Sequence, residues 1–357
     1  MEDYRIDSHK LVFHPDRVTD WMRGNVVYPI NAEIGLAGAC NHRCIFCSVD
    51  YMGYKPNTLS RELLSSRFSE MQEKGLKSIL FAGNGEPLLN KEAAGIINDA
   101  KRIGIDTALS TNGVLFTKEL AQECMSSISW VRFSTSAGTE NTYKKIHQGK
   151  DGDLEKVFQN IYDAAQIKRK YNLQTVLGVQ IVMIPENVDE VVTLAKKVKE
   201  LGADQFSVKS FGWQPLSSSR LKEEMDRTSY YDNREDIVRE LEELNCESFR
   251  AVYRINRMNK AKEGKNYTEC YALPFHTNID ANGDVWPCCA LIGVKNMCFG
   301  NIHEQTFEDI WLGEQRRQAV QKLKDLKLAE CTPECRLDDM NRYLHELKYP
   351  NAHVNFI

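Results

Sequence analysis

Three cysteines, Cys40, Cys44 and Cys47, sit in the segment Cys40-Asn41-His42-Arg43-Cys44-Ile45-Phe46-Cys47 with C-x3-C-x2-C spacing. Three thiolates held that closely can ligate three corners of a [4Fe–4S] cube and leave the fourth iron open, and an open iron is a reaction site. Tetrahedral sulfur coordination suits zinc as well as iron–sulfur. Zinc loops, however, usually pair C-x2-C knuckles with a second pair of Cys or His farther along. His42, inside the first gap, is the remaining candidate zinc donor in this loop. The spacing favours iron–sulfur and leaves zinc open.

The other cysteines point the same way. The chain has 357 residues and 11 cysteines, a high count for a reducing compartment in which disulfides rarely account for them. Cys270, Cys288, Cys289, Cys298, Cys331 and Cys335 crowd the last quarter, while Cys124 and Cys246 stand apart. Asn282-Gly283 lies between the strand-like runs 277–280 and 284–286, which predicts a two-residue hairpin that brings Cys270 and Cys288 together. Cys331 and Cys335 supply two more thiols and complete a set of four, which suits a second cluster or a structural zinc ribbon. Cys289, beside Cys288, can replace it as a ligand or stand as a free thiol; Cys298 reads as a core residue.

Composition sets the limits. With 46 Lys+Arg against 50 Asp+Glu the chain is near neutral, and nothing in it argues for a nucleic-acid or anionic-membrane footprint. The charged N-terminus, Met1-Glu2-Asp3-Tyr4-Arg5-Ile6-Asp7, has no apolar run behind it, and no stretch is long and apolar enough to span a bilayer. A cytoplasmic location is expected.

The elements that must position these thiols read as repeated strand–helix units. Strand patterns fall at 32–36, 78–82, 107–110, 131–134, 176–182 and 205–209. Helical patterns fall at 61–74, stopped by Gly75, at 154–170, and at 191–201, stopped by Gly202. Six strands alternating with helices predict a parallel sheet whose loops gather at the strands' C-terminal ends. The motifs lie at those ends: the cysteine loop after the first strand, Gly83-Asn84-Gly85-Glu86-Pro87 after the second, Ser110-Thr111-Asn112-Gly113 after the third and Ser134-Thr135-Ser136 after the fourth. The charged stretch 221–244 reads as a solvated helix pair between two domains.

The cysteine loop resembles that of the radical S-adenosylmethionine (SAM) superfamily. The resemblance implies that SAM chelates the open iron of a [4Fe–4S] cluster and is reductively cleaved to a 5′-deoxyadenosyl radical. It implies that Phe46 packs beside the adenine, and that Gly83, Gly85 and Glu86, resembling the family's Gly-Gly-Glu-Pro motif with a departure at Asn84, hold the methionine amino group. Ser134 and Ser136 are carried over as contacts to the SAM carboxylate and ribose. The C-x12-G-x4-C pattern from Cys270 through Gly283 to Cys288 resembles the SPASM/Twitch extensions of that superfamily. With one cysteine pair following, it is similar to the shortened form that holds a single auxiliary [4Fe–4S] cluster, here on Cys270, Cys288, Cys331 and Cys335.

The expected architecture is α/β: an N-terminal extension over 1–29, a partial (β/α)6 barrel over 30–212, a helical linker over 213–264, and a small SPASM/Twitch-like domain with the C-terminal tail over 265–357. The expected reaction is hydrogen abstraction from a small polar substrate, a sugar, aminocyclitol or nucleotide-linked sugar, followed by oxidation. Epimerisation, or maturation of a ribosomally made peptide, is the alternative; only about 30 residues precede the first strand, which is short for gripping a leader peptide. Lys209, His276 and Asp280 are the candidate proton acceptors. A reducing donor such as flavodoxin or ferredoxin is the expected protein partner.

Overall fold

A computed structural model of the chain describes residues 8–212, 214–225, 230–324, 328, 331–332 and 335–356. The strands are β1 (Asn31–Ile34), β2 (Ser78–Phe81), β3 (Asp106–Thr111), β4 (Ile128–Ser134), β5 (Val176–Met183), β6 (Gln205–Ser210), β7 (Arg250–Tyr253), β8 (His276–Ile279), β9 (Asp284–Trp286) and β10 (Gly300–Asn301). They form one sheet in the order β10-β9-β8-β1-β2-β3-β4-β5-β6-β7. Every pair from β8 through β7 is parallel, and β9 and β10 add antiparallel. The α/β class and the parallel core are those read from the sequence.

The helices start and stop for local reasons. Ser60 caps Arg61–Glu73 by accepting from the Leu63 N–H at 3.3 Å, and Thr139 and Thr306 do the same for Glu140–His147 and Phe307–Leu312. Val191–Leu201 ends at Gly202, whose φ of 92° lies in the left-handed region. Helix Asp153–Tyr171 buries Leu154, Val157, Ile161 and Ala164 on one face against the main core, at the spacing seen in the sequence.

The sheet is longer than six strands. Within 213–264, read as a helical linker, Arg250–Tyr253 alternates half-buried and buried and pairs parallel with β6. At the other end, β8 pairs parallel with β1, so the C-terminal hairpin extends the barrel sheet. The hairpin loop also differs from the two-residue turn expected. Asp280 N–H donates to the Asp284 carbonyl at 3.0 Å and Gly283 N–H to the Asp280 carbonyl at 2.9 Å, enclosing residues 281–283. A two-residue type I′ turn needs positive φ at both central residues. Gly283 has it, at 85°, and Asn282 does not. A second core joins Leu11, Val18 and Val27 of the N-terminal extension to Tyr267, Tyr271, Leu273, Phe275, Leu291 and Leu344. Cys288 lies inside this core, and Cys270, Cys331 and Cys335 pack against it.

Candidate active site

One cavity of about 310 Å3 opens at the C-terminal ends of the strands. Cys40, Cys44, Cys47 and Phe46 line it from the loop after β1; Gly83, Gly85 and Glu86 from the loop after β2; Thr111, Asn112, Ser134 and Ser136 from β3, β4 and the turns beyond them. Cys288, Cys289, Cys335 and Arg336 line it from the C-terminal part.

The two loops nearest the thiol triad are built as one unit. Glu86 N–H donates to the Ala39 carbonyl at 2.8 Å. A side chain at Gly85 would meet the Ala37 and Ala39 carbonyl oxygens at 2.3 Å, so only glycine lets the two loops approach this closely. Asn84, the departure from the family motif, does not line the cavity; its buried Oδ1 sits behind the turn against Gly35. Glu86 is buried, and its carboxylate accepts from the Thr111 hydroxyl at 2.7 Å, the Asn112 N–H at 2.8 Å and the Leu88 N–H at 3.2 Å. Burial pushes its pKa up, and the three donors oppose that rise. Asn112 Nδ2 in turn donates to Asn41 Oδ1 at 2.6 Å and ties β3 to the cysteine loop.

None of the cysteines is joined in a disulfide. Burial raises the pKa of Cys40 to about 11, and of Cys44 and Cys47 upward as well. The second group behaves alike: Cys270 is pushed to about 11, and Cys288 and Cys335 well up, first by burial and then by the charges of the neighbouring thiols. Two groups of buried, mutually close thiols without a disulfide fit two sites that convert thiols to thiolates by binding a metal or cluster. His42 faces Asp153 at 3.4 Å, and its ligating atom, that of His147 and Cys44 Sγ all lie within 4.8 Å of one another. A metal held there would leave Cys40 and Cys47 unused.

Of the three proton acceptors expected, Lys209 lines the cavity. His276 and Asp280 do not, and the fold gives each another task. His276 is fully buried between Asn31 Oδ1 and Asn278 Oδ1, both at 2.9 Å, and burial lowers its pKa to about 4. Asp280 accepts from Trp286 Nε1 at 3.0 Å and from the Asn282 N–H at 2.8 Å, which closes the hairpin turn. Ser136 is held by its neighbours, its hydroxyl accepting from the Val182 N–H at 3.1 Å. Sequence reasoning missed Glu33, Arg132, Gln180 and Gln214, which all line the cavity. Glu33 is buried and pairs with Arg336, beside Cys335, and so ties the C-terminal thiols to β1. Gln214 Oε1 is buried in this lining with no hydrogen-bond donor among the described residues. A charged residue between the apolar Ala32 and Ile34 was the available signal for Glu33.

Residues 34–198 match the family described as the Radical SAM superfamily, and residues 270–336 match SPASM, an iron–sulfur cluster-binding domain. The chain belongs to the radical SAM superfamily. This radical SAM enzyme carries a C-terminal SPASM domain, and its cofactors are a SAM-binding [4Fe–4S] cluster and auxiliary iron–sulfur. It is 22% identical over 324 residues to the tungsten-containing aldehyde ferredoxin oxidoreductase cofactor-modifying protein of Pyrococcus furiosus, covering 85% of this chain and 86% of that protein. It is 24% identical over 311 residues to the AdoMet-dependent heme synthase of Methanosarcina barkeri, covering 81% and 83%. In fold, the radical SAM chain is similar to Streptococcus suis SuiB bound to its precursor peptide SuiA, with a TM-score of 0.67 and 15% identity over 98% of this chain and 82% of that one. Among the described residues no helix is long and apolar enough to cross a membrane.

Proposed function

We propose that this enzyme dehydrogenates a small polar substrate, a sugar, an aminocyclitol or a nucleotide-linked sugar. Cys40, Cys44 and Cys47 would hold the SAM-binding cluster, and Cys270, Cys288, Cys331 and Cys335 the auxiliary one. When bound, SAM and the clusters supply the radical and one-electron chemistry that side chains cannot perform. The observation that carries the reading is that residues of both thiol groups line one cavity, so that a substrate between them is within reach of both.

The chain's own side chains do the rest. Glu86, with the close-packed Gly83 and Gly85, offers a carboxylate to an ammonium group, while Phe46 offers an aromatic edge beside it. Gln214 Oε1 accepts from a hydroxyl or amine of the bound molecules, and Arg132 and Gln180 reach in from β4 and β5. Lys209 stands at the end of β6 to receive a hydroxyl proton. A second reading, epimerisation, is favoured by Cys289, which lines the same cavity and is placed to return a hydrogen atom. Cys246 is exposed, and Cys124 and Cys298 donate to backbone carbonyls outside the lining.

The test is anaerobic turnover of a panel of sugars, aminocyclitols and nucleotide sugars with SAM and dithionite. Dehydrogenation yields a product two hydrogens lighter. A product of unchanged mass that gains one deuterium in heavy water, and stops doing so in Cys289→Ala, would establish epimerisation instead.

A further inference from the structure

His147 is the last residue of helix Glu140–His147 and is almost fully buried behind the cysteine loop. The loop is docked onto this helix end by its backbone: Arg43 N–H donates to the His147 carbonyl at 3.0 Å, and Ile45 N–H to the Ile146 carbonyl at 2.9 Å. The imidazole is fixed at both nitrogens. The Ser136 backbone N–H donates to Nε2 at 2.9 Å, which requires a lone pair on that nitrogen. The ring proton therefore sits on Nδ1, and Nδ1 lies 3.2 Å from Cys44 Sγ. Tyr143, with its ring centroid 4.4 Å from that of His147, and Phe46, at 5.5 Å, hold the ring in place.

We propose that His147 is a positioning residue for the SAM-binding cluster: its Nδ1–H donates to the Cys44 sulfur and raises the cluster's reduction potential. The inference rests on Cys44 as a cluster ligand. Reduction adds a negative charge that spreads onto the cysteine sulfurs, and a donor aimed at one of them stabilises the reduced form more than the oxidised form. Hydrogen bonds to sulfur are among the levers that set such potentials. The geometry also links the two halves of the SAM site, because the Ser136 N–H that orients the ring belongs to the strand end lining the cavity. Groups that hydrogen-bond to a metal's ligands generally orient those ligands and tune the metal.

The experiment separates hydrogen bonding from packing with two amides. In Asn the terminal amide falls near the place of Nδ1, and in Gln near that of Nε2. His147→Asn therefore keeps a donor for Cys44, whereas His147→Gln keeps an acceptor for Ser136 and loses the donor. The potential of the SAM-responsive cluster would be read by EPR-monitored redox titration of the fully reconstituted protein, with the auxiliary cluster as internal control. His147→Gln is expected to lower the reduced-to-oxidised ratio at a fixed potential about tenfold, equivalent to about 59 mV for a one-electron couple. His147→Asn should stay within about threefold of wild type. In the cluster-free protein, nitrogen NMR should find the proton of this ring on Nδ1. Equal potentials in wild type and His147→Gln, equal shifts in the two variants, or an Nε2–H tautomer would overturn the proposal. Absence of any SAM-responsive cluster in the reconstituted wild type would instead overturn the assignment of Cys44 as a ligand, and the proposal with it.

Discussion

Gly85 is the point where the loop after β2 touches the cysteine loop after β1, and Gly85→Ala tests whether the two act as one unit. The added Cβ would lie 2.3 Å from two carbonyl oxygens, of Ala37 and Ala39, and 2.8 Å from the Gly38 carbonyl carbon. Ordinary contact begins near 3.4 Å, so one backbone segment must move by about 1 Å. Overpacking of this kind costs about 1–3 kcal/mol. The movement also strains the buried Glu86 N–H to Ala39 carbonyl bond, worth about 1 kcal/mol. Together they predict a loss of about 2–4 kcal/mol in anaerobic urea unfolding. The same displacement separates Glu86 from the thiol triad, and about 1 Å of misplacement costs about a hundredfold in rate. The formation of 5′-deoxyadenosine from SAM should therefore fall by about that factor, in protein that keeps its auxiliary iron. Asn84→Gly is the control: Asn84 lies outside the cavity, and its Oδ1 has no partner among the described residues, so its removal should leave turnover within about twofold of wild type. Wild-type stability and turnover in Gly85→Ala would refute the coupling of the two loops.

Two further outcomes follow from the site. Reconstituted wild-type protein should carry about eight irons per chain, following from two thiol sets that can each ligate a cube; four irons with one zinc, measured by plasma emission, would reassign the C-terminal set to a zinc ribbon. Arg336→Met leaves the buried Glu33 carboxylate without its cation, which should cost about 3 kcal/mol in urea unfolding, and adding Glu33→Gln should recover at least a third of the loss.

The parts of the site that could be read from the sequence are those whose chemistry dictates spacing. Thiolates that share a cluster must be close, so Cys40, Cys44 and Cys47 announce themselves, and Gly85 is required by an approach only glycine permits. Strand-borne contacts are different, because a polar residue facing a barrel interior has the same local pattern as one facing solvent. Arg132 and Gln180 alternate with apolar neighbours as any surface residue would, and only the assembled fold shows that their face of the sheet lines the cavity. His276 misled for a related reason. Its neighbour Asn31 lies on β1, and the parallel β1–β8 pairing that satisfies the imidazole joins residues 245 apart in the chain. Strand β7 was hidden by its length, since four residues in a charge-rich stretch carry too little alternation to separate strand from helix. The hairpin loop departed because the Asp280 carboxylate holds the Asn282 and Asp284 N–H groups, so the turn spans residues 281–283 rather than two residues.

The most direct measurement is the formation of 5′-deoxyadenosine by anaerobically reconstituted protein given SAM and dithionite, compared with the variant in which Cys40, Cys44 and Cys47 are all alanine. Wild type should release 5′-deoxyadenosine, and the triple variant none, while the variant keeps the iron bound by the C-terminal thiols. Continued 5′-deoxyadenosine formation by the triple variant would contradict the assignment of the open cluster to this loop.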